Sequence, residues 1–128
     1  MRLLLDTHVL LWALADDRRL PQRARKLIAD PDNEVWVSAV SIWEVSIKHA
    51  LGRGDMPISG AAALQYCQAA GYTLLSITPA HAAATETLPA LHADPFDRLL
   101  VAQALCEPLR LITHDETVAH YSDTVIRV

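Results

Sequence analysis

Four acids stand at positions where they could do more than solvate a surface: Asp6, Glu44, Asp97 and Asp115. Each has an ordinary role when taken alone. Asp6 follows a short apolar run and can cap the helix after it. Glu44 can pair with Lys48 one helical turn on, for about 0.2–0.5 kcal/mol. Asp94 and Asp97 bracket Pro95 as an N-cap and an N3 acid, which favours the orphan amides and dipole of a helix start. Asp115 can open a turn. Brought together, the four acids need a different account. Crowded carboxylates repel, and without a cation some must hold protons. A divalent ion removes that penalty, and Mg²⁺ or Mn²⁺ suits an all-oxygen site. Such a site generates a hydroxide nucleophile and stabilises the leaving oxygen of a phosphodiester. The chemistry would be metal-dependent phosphoryl transfer, provided the fold places these acids side by side.

The elements that must place them can be read along the chain. Leu3-Leu4-Leu5 is an apolar run halted by Asp6 and reads as a buried strand, followed by helix formers from His8 to Ala15. Asp16 to Arg19 turns the chain, and Pro21 opens a second helix through Ile28. Glu34 to Val37 reads as the next strand, and Ser38 as the N-cap of a helix that runs to Leu51 and stops at Gly52. Arg53 to Pro57 is a loop, Ser59 to Ala70 a helix before Gly71, and Thr73 to Ile77 a third strand. Thr78-Pro79 launches a helix that ends near Leu88. Asp94-Pro95 starts another through Cys106, and Leu109 to Thr113 is a fourth strand. One helical turn from His114 to Ala119 and a short strand from Val125 to Val128 complete the order.

Strands separated by helices imply crossover connections and a parallel sheet. The runs LLL, VWV and TLL lack alternation, as strands buried on both faces do. The expected fold is α/β, a three-layer α/β/α sandwich with a parallel central sheet. Ligands of such sheets gather beyond the carboxyl ends of the strands. Asp6 and Asp115 follow the first and fourth strands and share that edge, and the first turn of the helix carrying Asp97 should face it. At 100° per residue, Val40, Trp43, Ile47, Ala50 and Leu51 form an apolar side of the Glu44 helix, with Ser41, Glu44 and Lys48 as a narrow polar strip beside it.

The strings LLLDTHVLLWAL, VSAVSIWEVSIKHALGRG, DPFDRLLVAQA and LITHDETV resemble the PIN-domain ribonucleases, in the branch of VapC-like toxins of bacterial toxin–antitoxin pairs. The resemblance runs from Arg2 to Val128 with the motifs in order, and implies a single PIN-like domain over 1–128. It implies that Asp6, Glu44, Asp97 and Asp115 bind Mg²⁺ or Mn²⁺ for endonucleolytic cleavage of RNA. It further implies that Thr113 supports the last acid, and that a DNA-binding antitoxin covers the toxin with its C-terminal segment. Asp94 belongs to the DPFDR variant of the motif and ranks below Asp97 as a ligand. Where many members have Asn, this chain has His8.

The remaining polar residues carry weaker signals. His49, His81, His92 and His120 are scattered over different elements without HxH or HxxxH spacing, and read as surface or helix-end histidines. His114 is expected to line the site without binding metal; an HD phosphohydrolase reading fails because that fold is all-helical. Arg18, Arg19, Arg23, Arg25 and Lys26 form a basic cluster that either follows an RNA backbone or solvates a helix face. Lys48 and Arg98 either contact a substrate phosphate or serve as ion-pair partners, Arg98 to Asp94 at i,i+4. Trp12, Trp36 and Trp43 read as core, with no aromatic ladder for stacking bases.

Composition sets the outer bounds. With 128 residues and 52% apolar content, the chain reads as one domain with a real core, and a disordered chain is excluded. A net charge of -4 and a pI near 5.8 argue against a broad basic face for duplex DNA. No stretch approaches the roughly 20 apolar residues of a membrane span, and the start of the chain lacks the pattern of a signal peptide. Cys67 and Cys106 read as two buried free thiols of a cytoplasmic protein. A mean hydropathy of +0.17 is high for so small a domain. Together with apolar faces on the first two helices and over Ala61–Ala70, it predicts a homodimer. The competing function is a receiver-like phospho-acceptor domain with an acidic Mg²⁺ pocket. That class needs an acidic pair after the first strand, an Asp after the third and a Lys after the fifth. Here Asp6 is alone, Ser76-Ile77-Thr78 follows the third strand, and no lysine follows Lys48. A pure interaction module with a decayed site is disfavoured by acids at all four positions.

Overall fold

The computed structural model describes residues 1–52 and 55–128; the Arg53–Gly54 part of the expected loop lies outside the described residues. Five parallel strands run in the order β3-β2-β1-β4-β5. They are β1 (Arg2–Leu5), β2 (Glu34–Ser38), β3 (Thr73–Leu75), β4 (Arg110–Thr113) and β5 (Ile126–Arg127). The helices between them are α1 (Thr7–Leu14), α2 (Gln22–Ala29), α3 (Ala39–Ala50), α4 (Gly60–Ala69), α5 (Pro79–Ala84) with a 3₁₀ turn after it, α6 (Pro95–Cys106) and α7 (Glu116–Ala119). This is the α/β/α sandwich with a parallel sheet that the sequence predicts.

Alternation along β1 builds both halves of the core. Leu3 and Leu5 pack with Val9, Leu10, Ala24, Val37 and Cys67 on one face. Leu4 packs with Val40, Leu100, Val101, Ala104 and Leu111 on the other. Such period-two partition is what a central strand buried on both sides requires. The TLL run behaves differently. β3 is an edge strand, with Thr73 and Leu74 exposed and only Leu75 buried. Its lack of alternation reflects sheet position rather than double burial.

Helix ends follow the chemistry read from the sequence. Ser38, Ser59, Thr78 and Asp94 all cap with their side chains, and Pro21 and Pro95 stand at helix starts. Gly52 and Gly71 stop α3 and α4 with φ of +65° and +78°, where a side chain would be strained. Gly60 serves packing: a Cβ there would sit 1.7 Å from Ser46 Oγ and 2.9 Å from Ser46 Cβ. Only glycine lets α4 approach α3 so closely.

Three expectations about burial are overturned. Trp43 is 52% exposed and Leu51 65% exposed, with Ala50 exposed beside them. Of the expected apolar side only Val40 is fully buried, and the rest of the buried side of α3 is Ser41, Glu44 and Val45. The wheel projection fails because the fold buries the polar strip. Cys67 is buried, and desolvation pushes its thiol up to about 11, but Cys106 at the end of α6 is exposed. The apolar faces of the first two helices are largely absorbed, since Trp12, Ala13, Leu14, Leu27 and Ile28 pack against the core. Exposed apolar side chains include Trp43 of α3, Leu51 at its C-terminal cap, Tyr66 of α4 and Leu74 of β3, with others such as Leu105 on α6. Among the described residues no helix is long and apolar enough to cross a membrane.

Candidate active site

The strand order creates the site. From β1 the chain moves outward through β2 to β3, then returns to lay β4 on the other side of β1. The connections that leave β1 and β4 turn in opposite directions, toward β2 and toward β5, which opens a crevice beyond the carboxyl ends of β1 and β4. Leu5 pairs with Ile112, so the next residues, Asp6 and Thr113, emerge side by side in that crevice. Glu44 arrives from α3, which follows the other neighbour of β1. Asp97 lies in the first turn of α6, which runs back along the sheet to β4.

Each acid is held by a defined set of partners. Asp6 caps α1 by accepting from the Val9 amide at 2.9 Å, and its second oxygen accepts from Thr113 Oγ1 at 2.5 Å. Burial outweighs those hydrogen bonds and pushes the Asp6 carboxyl above its ordinary range. Glu44 is buried; its Oε1 accepts from Thr7 Oγ1 at 2.7 Å and its Oε2 pairs with Lys48 Nζ at 2.6 Å. Burial works against the Lys48 ammonium, but its hydrogen bond and charge attraction to Glu44 prevail and raise its pKa. Asp94 caps α6 by accepting from the amides of Phe96 and Asp97. Asp115 is the most open of the set, capping α7 through the amides of Thr117 and Val118. Its own amide donates to Thr113 Oγ1 at 3.0 Å, so one hydroxyl ties Asp6 to the Asp115 backbone.

Asp97 shows that these groups crowd one another. Its carboxyl is pushed up to about 7, first by burial and then by the charges of Asp94, Asp6 and Glu44. His92 opposes the rise. Carboxylates gathered from four elements, with too few cationic partners, form a donor set suited to a hard divalent cation. The residues therefore fit Mg²⁺ or Mn²⁺.

His92 is the member that sequence reasoning missed. Its Nε2 lies 3.1 Å from Asp97 Oδ2 and 3.6 Å from Asp115 Oδ2, and donor atoms of all three lie within 4.8 Å of one another. The expectation of a surface histidine fails here. Only its position two residues before the Asp94 cap could have pointed to it. His81 is a helix-end residue as expected, in the capping box of α5 with Thr78, but it is buried, with Nε2 at 2.5 Å from Glu107 Oε2. His114 is turned away from the acids, its Nδ1 against the Val128 carbonyl and its ring edge-on to Trp12.

Other expected partners resolve as follows. Arg98 does not reach Asp94; it donates to the carbonyls of Thr85 and Pro89 and to the Tyr121 hydroxyl. In the basic cluster, Arg19 pairs with Asp17 and Arg25 with Asp16, while Arg23 donates to the Arg127 carbonyl. Two of its five cations are thus paired with acids of the same chain. A cleft of about 280 Å³ lies beside Lys48, lined also by His8, Trp12, Arg19 and Asp55.

Comparison with known proteins shows the family and the fold. A PIN domain family model matches residues 3–123. The chain is 35% identical over 113 residues to "Ribonuclease VapC22" of Mycobacterium tuberculosis, covering 88% of this chain and 85% of that protein. Among solved structures, VapBC2 from Rickettsia felis bound to a promoter DNA fragment superposes with a TM-score of 0.70 at 14% identity, covering 100% of this chain and 98% of that one. A toxin–antitoxin complex from Klebsiella pneumoniae follows with a TM-score of 0.63 at 19% identity, covering 96% and 94%. At such identities the two structures speak for the fold alone.

Proposed function

This chain belongs to the PIN-domain family, and we propose that it is a Mg²⁺- or Mn²⁺-dependent endoribonuclease acting in the cytoplasm as a toxin that a cognate antitoxin neutralises. The observation that carries the reading is the gathering of Asp6, Glu44, Asp94 and Asp97 in the β1/β4 crevice, where burial first and the neighbouring charges second push the Asp97 carboxyl up to about 7. Asp6, Glu44, Asp97 and Asp115 would hold the ion. When bound, it supplies Lewis acidity and a nucleophilic water at neutral pH. Thr113 orients Asp6, and Thr7 with Lys48 orients Glu44. Lys48 opens onto the cleft beside Glu44, where it can also meet a backbone phosphate. Asp94 acts through the helix start that presents Asp97. Arg98, committed to backbone carbonyls, shapes the loop before α6 rather than holding substrate.

Attack by water, with no need for the RNA 2′-hydroxyl, leaves 5′-phosphate and 3′-hydroxyl ends. The exposed apolar side chains of α3, α4 and β3 support a homodimer with further surface for an antitoxin. A basic side chain from such a partner would suit the carboxylates and compete with the ion. The phospho-acceptor alternative is set aside by the family match and by the sheet order, 3-2-1-4-5 where a receiver has 2-1-3-4-5. The deciding experiment incubates the purified protein with structured RNA, with Mn²⁺ and with excess chelator, and analyses fragment ends by mass spectrometry. Cleavage that survives the chelator, or cyclic phosphate ends, would refute the reading. Harmless expression of the active chain without a partner would remove the toxin role, and light scattering of a strict monomer would remove the dimer.

A further inference from the structure

His92 lies in the stretch between the 3₁₀ turn and α6, which has no regular structure of its own, yet it is tied from three sides. Its backbone amide donates to Tyr121 Oη at 2.9 Å, and that hydroxyl lies 3.4 Å from the His92 carbonyl. Arg98 donates to the same Tyr121 oxygen at 3.2 Å, and to the Pro89 and Thr85 carbonyls, each at 2.9 Å. The imidazole itself is aimed by the chain that follows it, because Nδ1 accepts the Asp94 amide at 3.3 Å.

That hydrogen bond decides the tautomer. A neutral ring that accepts at Nδ1 carries its proton on Nε2. The Nε2–H then faces Asp97 Oδ2 at 3.1 Å and Asp115 Oδ2 at 3.6 Å. For Nε2 to ligate a metal instead, the proton would have to move to Nδ1 and the Asp94 amide would lose its acceptor. The geometry therefore turns the Nε2–H edge of His92 toward both carboxylates, at ion-pair distance from Asp97 and, at 3.6 Å, too far from Asp115 for a hydrogen bond.

We propose that His92 is a positioning residue of the acidic site, its Nε2–H edge set against Asp97 of α6 and toward Asp115 at the cap of α7, so that carboxylates from two separate elements meet a divalent ion as one preorganised group. This rests on the metal-dependent reading above. Partners that hydrogen-bond metal-ligating side chains fix their orientation, and their loss typically weakens metal binding about 10–100-fold. Asp115 is the ligand candidate most in need of such positioning, since its side chain is 43% exposed.

The test is calorimetric titration of Mn²⁺ and of Mg²⁺ into the full chain without RNA, for wild type, His92→Ala, His92→Gln and Tyr121→Phe. His92→Ala is expected to weaken both ions by a similar factor of about 10–100. His92→Gln, which restores an N–H donor, should recover most of that loss. Tyr121→Phe, which loosens the loop without touching an acid, should weaken both ions less than His92→Ala does. Thermal melts report that each variant is folded; should His92→Ala not fold, recovery in His92→Gln together with the Tyr121→Phe loss carries the test. Wild-type affinity in all three variants overturns the proposal. So does a loss confined to Mn²⁺, since an imidazole nitrogen ligand would favour Mn²⁺ over Mg²⁺. Absence of binding by the wild type refutes the parent reading instead, which keeps the two failures distinct.

Discussion

Replacing Asp97 by Asn should stabilise the metal-free protein while abolishing RNA cleavage. The Asp97 carboxyl is held at about 7 in the fold against an ordinary 3.8. Folding thus binds a proton between those values, so stability falls as pH rises through that window. The penalty is absent below about pH 4 and complete above about pH 7. At about 1.4 kcal/mol per factor of ten, the difference amounts to about 4 kcal/mol. Solvent reaching the partly exposed side chain reduces this, and about 2–4 kcal/mol is the working range. Asn keeps the shape and an oxygen for His92 Nε2–H, but carries no charge to be repelled. In chelator at pH 8, Asp97→Asn should melt about 10 °C above the wild type, at about 3–5 °C per kcal/mol for a domain of this size. The gap should close at pH 4, where both side chains are neutral. Saturating Mn²⁺ should reverse the order, because the ion stabilises only the chain that binds it well. Differential scanning calorimetry at the two pH values, with and without Mn²⁺, reads all of this. Equal melting at pH 8 in chelator would mean that Asp97 is not buried against its neighbours' charge.

Asp6→Asn and Asp97→Asn should each lower cleavage by orders of magnitude with far-UV circular dichroism unchanged; retained activity in either refutes the ligand assignment. Thr113→Val removes the hydroxyl shared by Asp6 and the Asp115 amide and leaves buried polar groups unpaired, so urea unfolding should show a loss of about 1–3 kcal/mol. Gly60→Ala forces Ser46 and α3 aside and should cost about 1–3 kcal/mol in the same measurement, without altering metal affinity. Of the two thiols, Cys106 should react with a disulfide reagent in the native state, whereas Cys67 should react only on unfolding.

Local chemistry was legible in the chain because it acts over a few residues. Ser38, Ser59, Asp94, Pro95, Gly52 and Gly71 mark helix ends through hydrogen bonds and backbone angles that neighbours alone decide. The strand–helix alternation determines a parallel sheet, and with it the edge on which Asp6 and Asp115 must emerge. Burial was less legible, as Trp43 and Glu44 on α3 show. A helical projection tells which residues share a face, but not which face meets the sheet, and here the fold buries the polar strip to bring Glu44 to Thr7 and Lys48. Edge position likewise belongs to the sheet order, so the apolar run of β3 could not announce that it lies at the rim. His92, Arg98 and Tyr121 mark the limit most clearly. Their association joins the loop before α6 to Tyr121, two residues beyond α7, with His92 and Tyr121 29 positions apart. No spacing rule encodes such a contact, because it depends on where β4 returns beside β1. The acids and their order are properties of the chain. Their mutual repulsion, and the histidine that stands between two of them, exist only once the sheet has closed the distance.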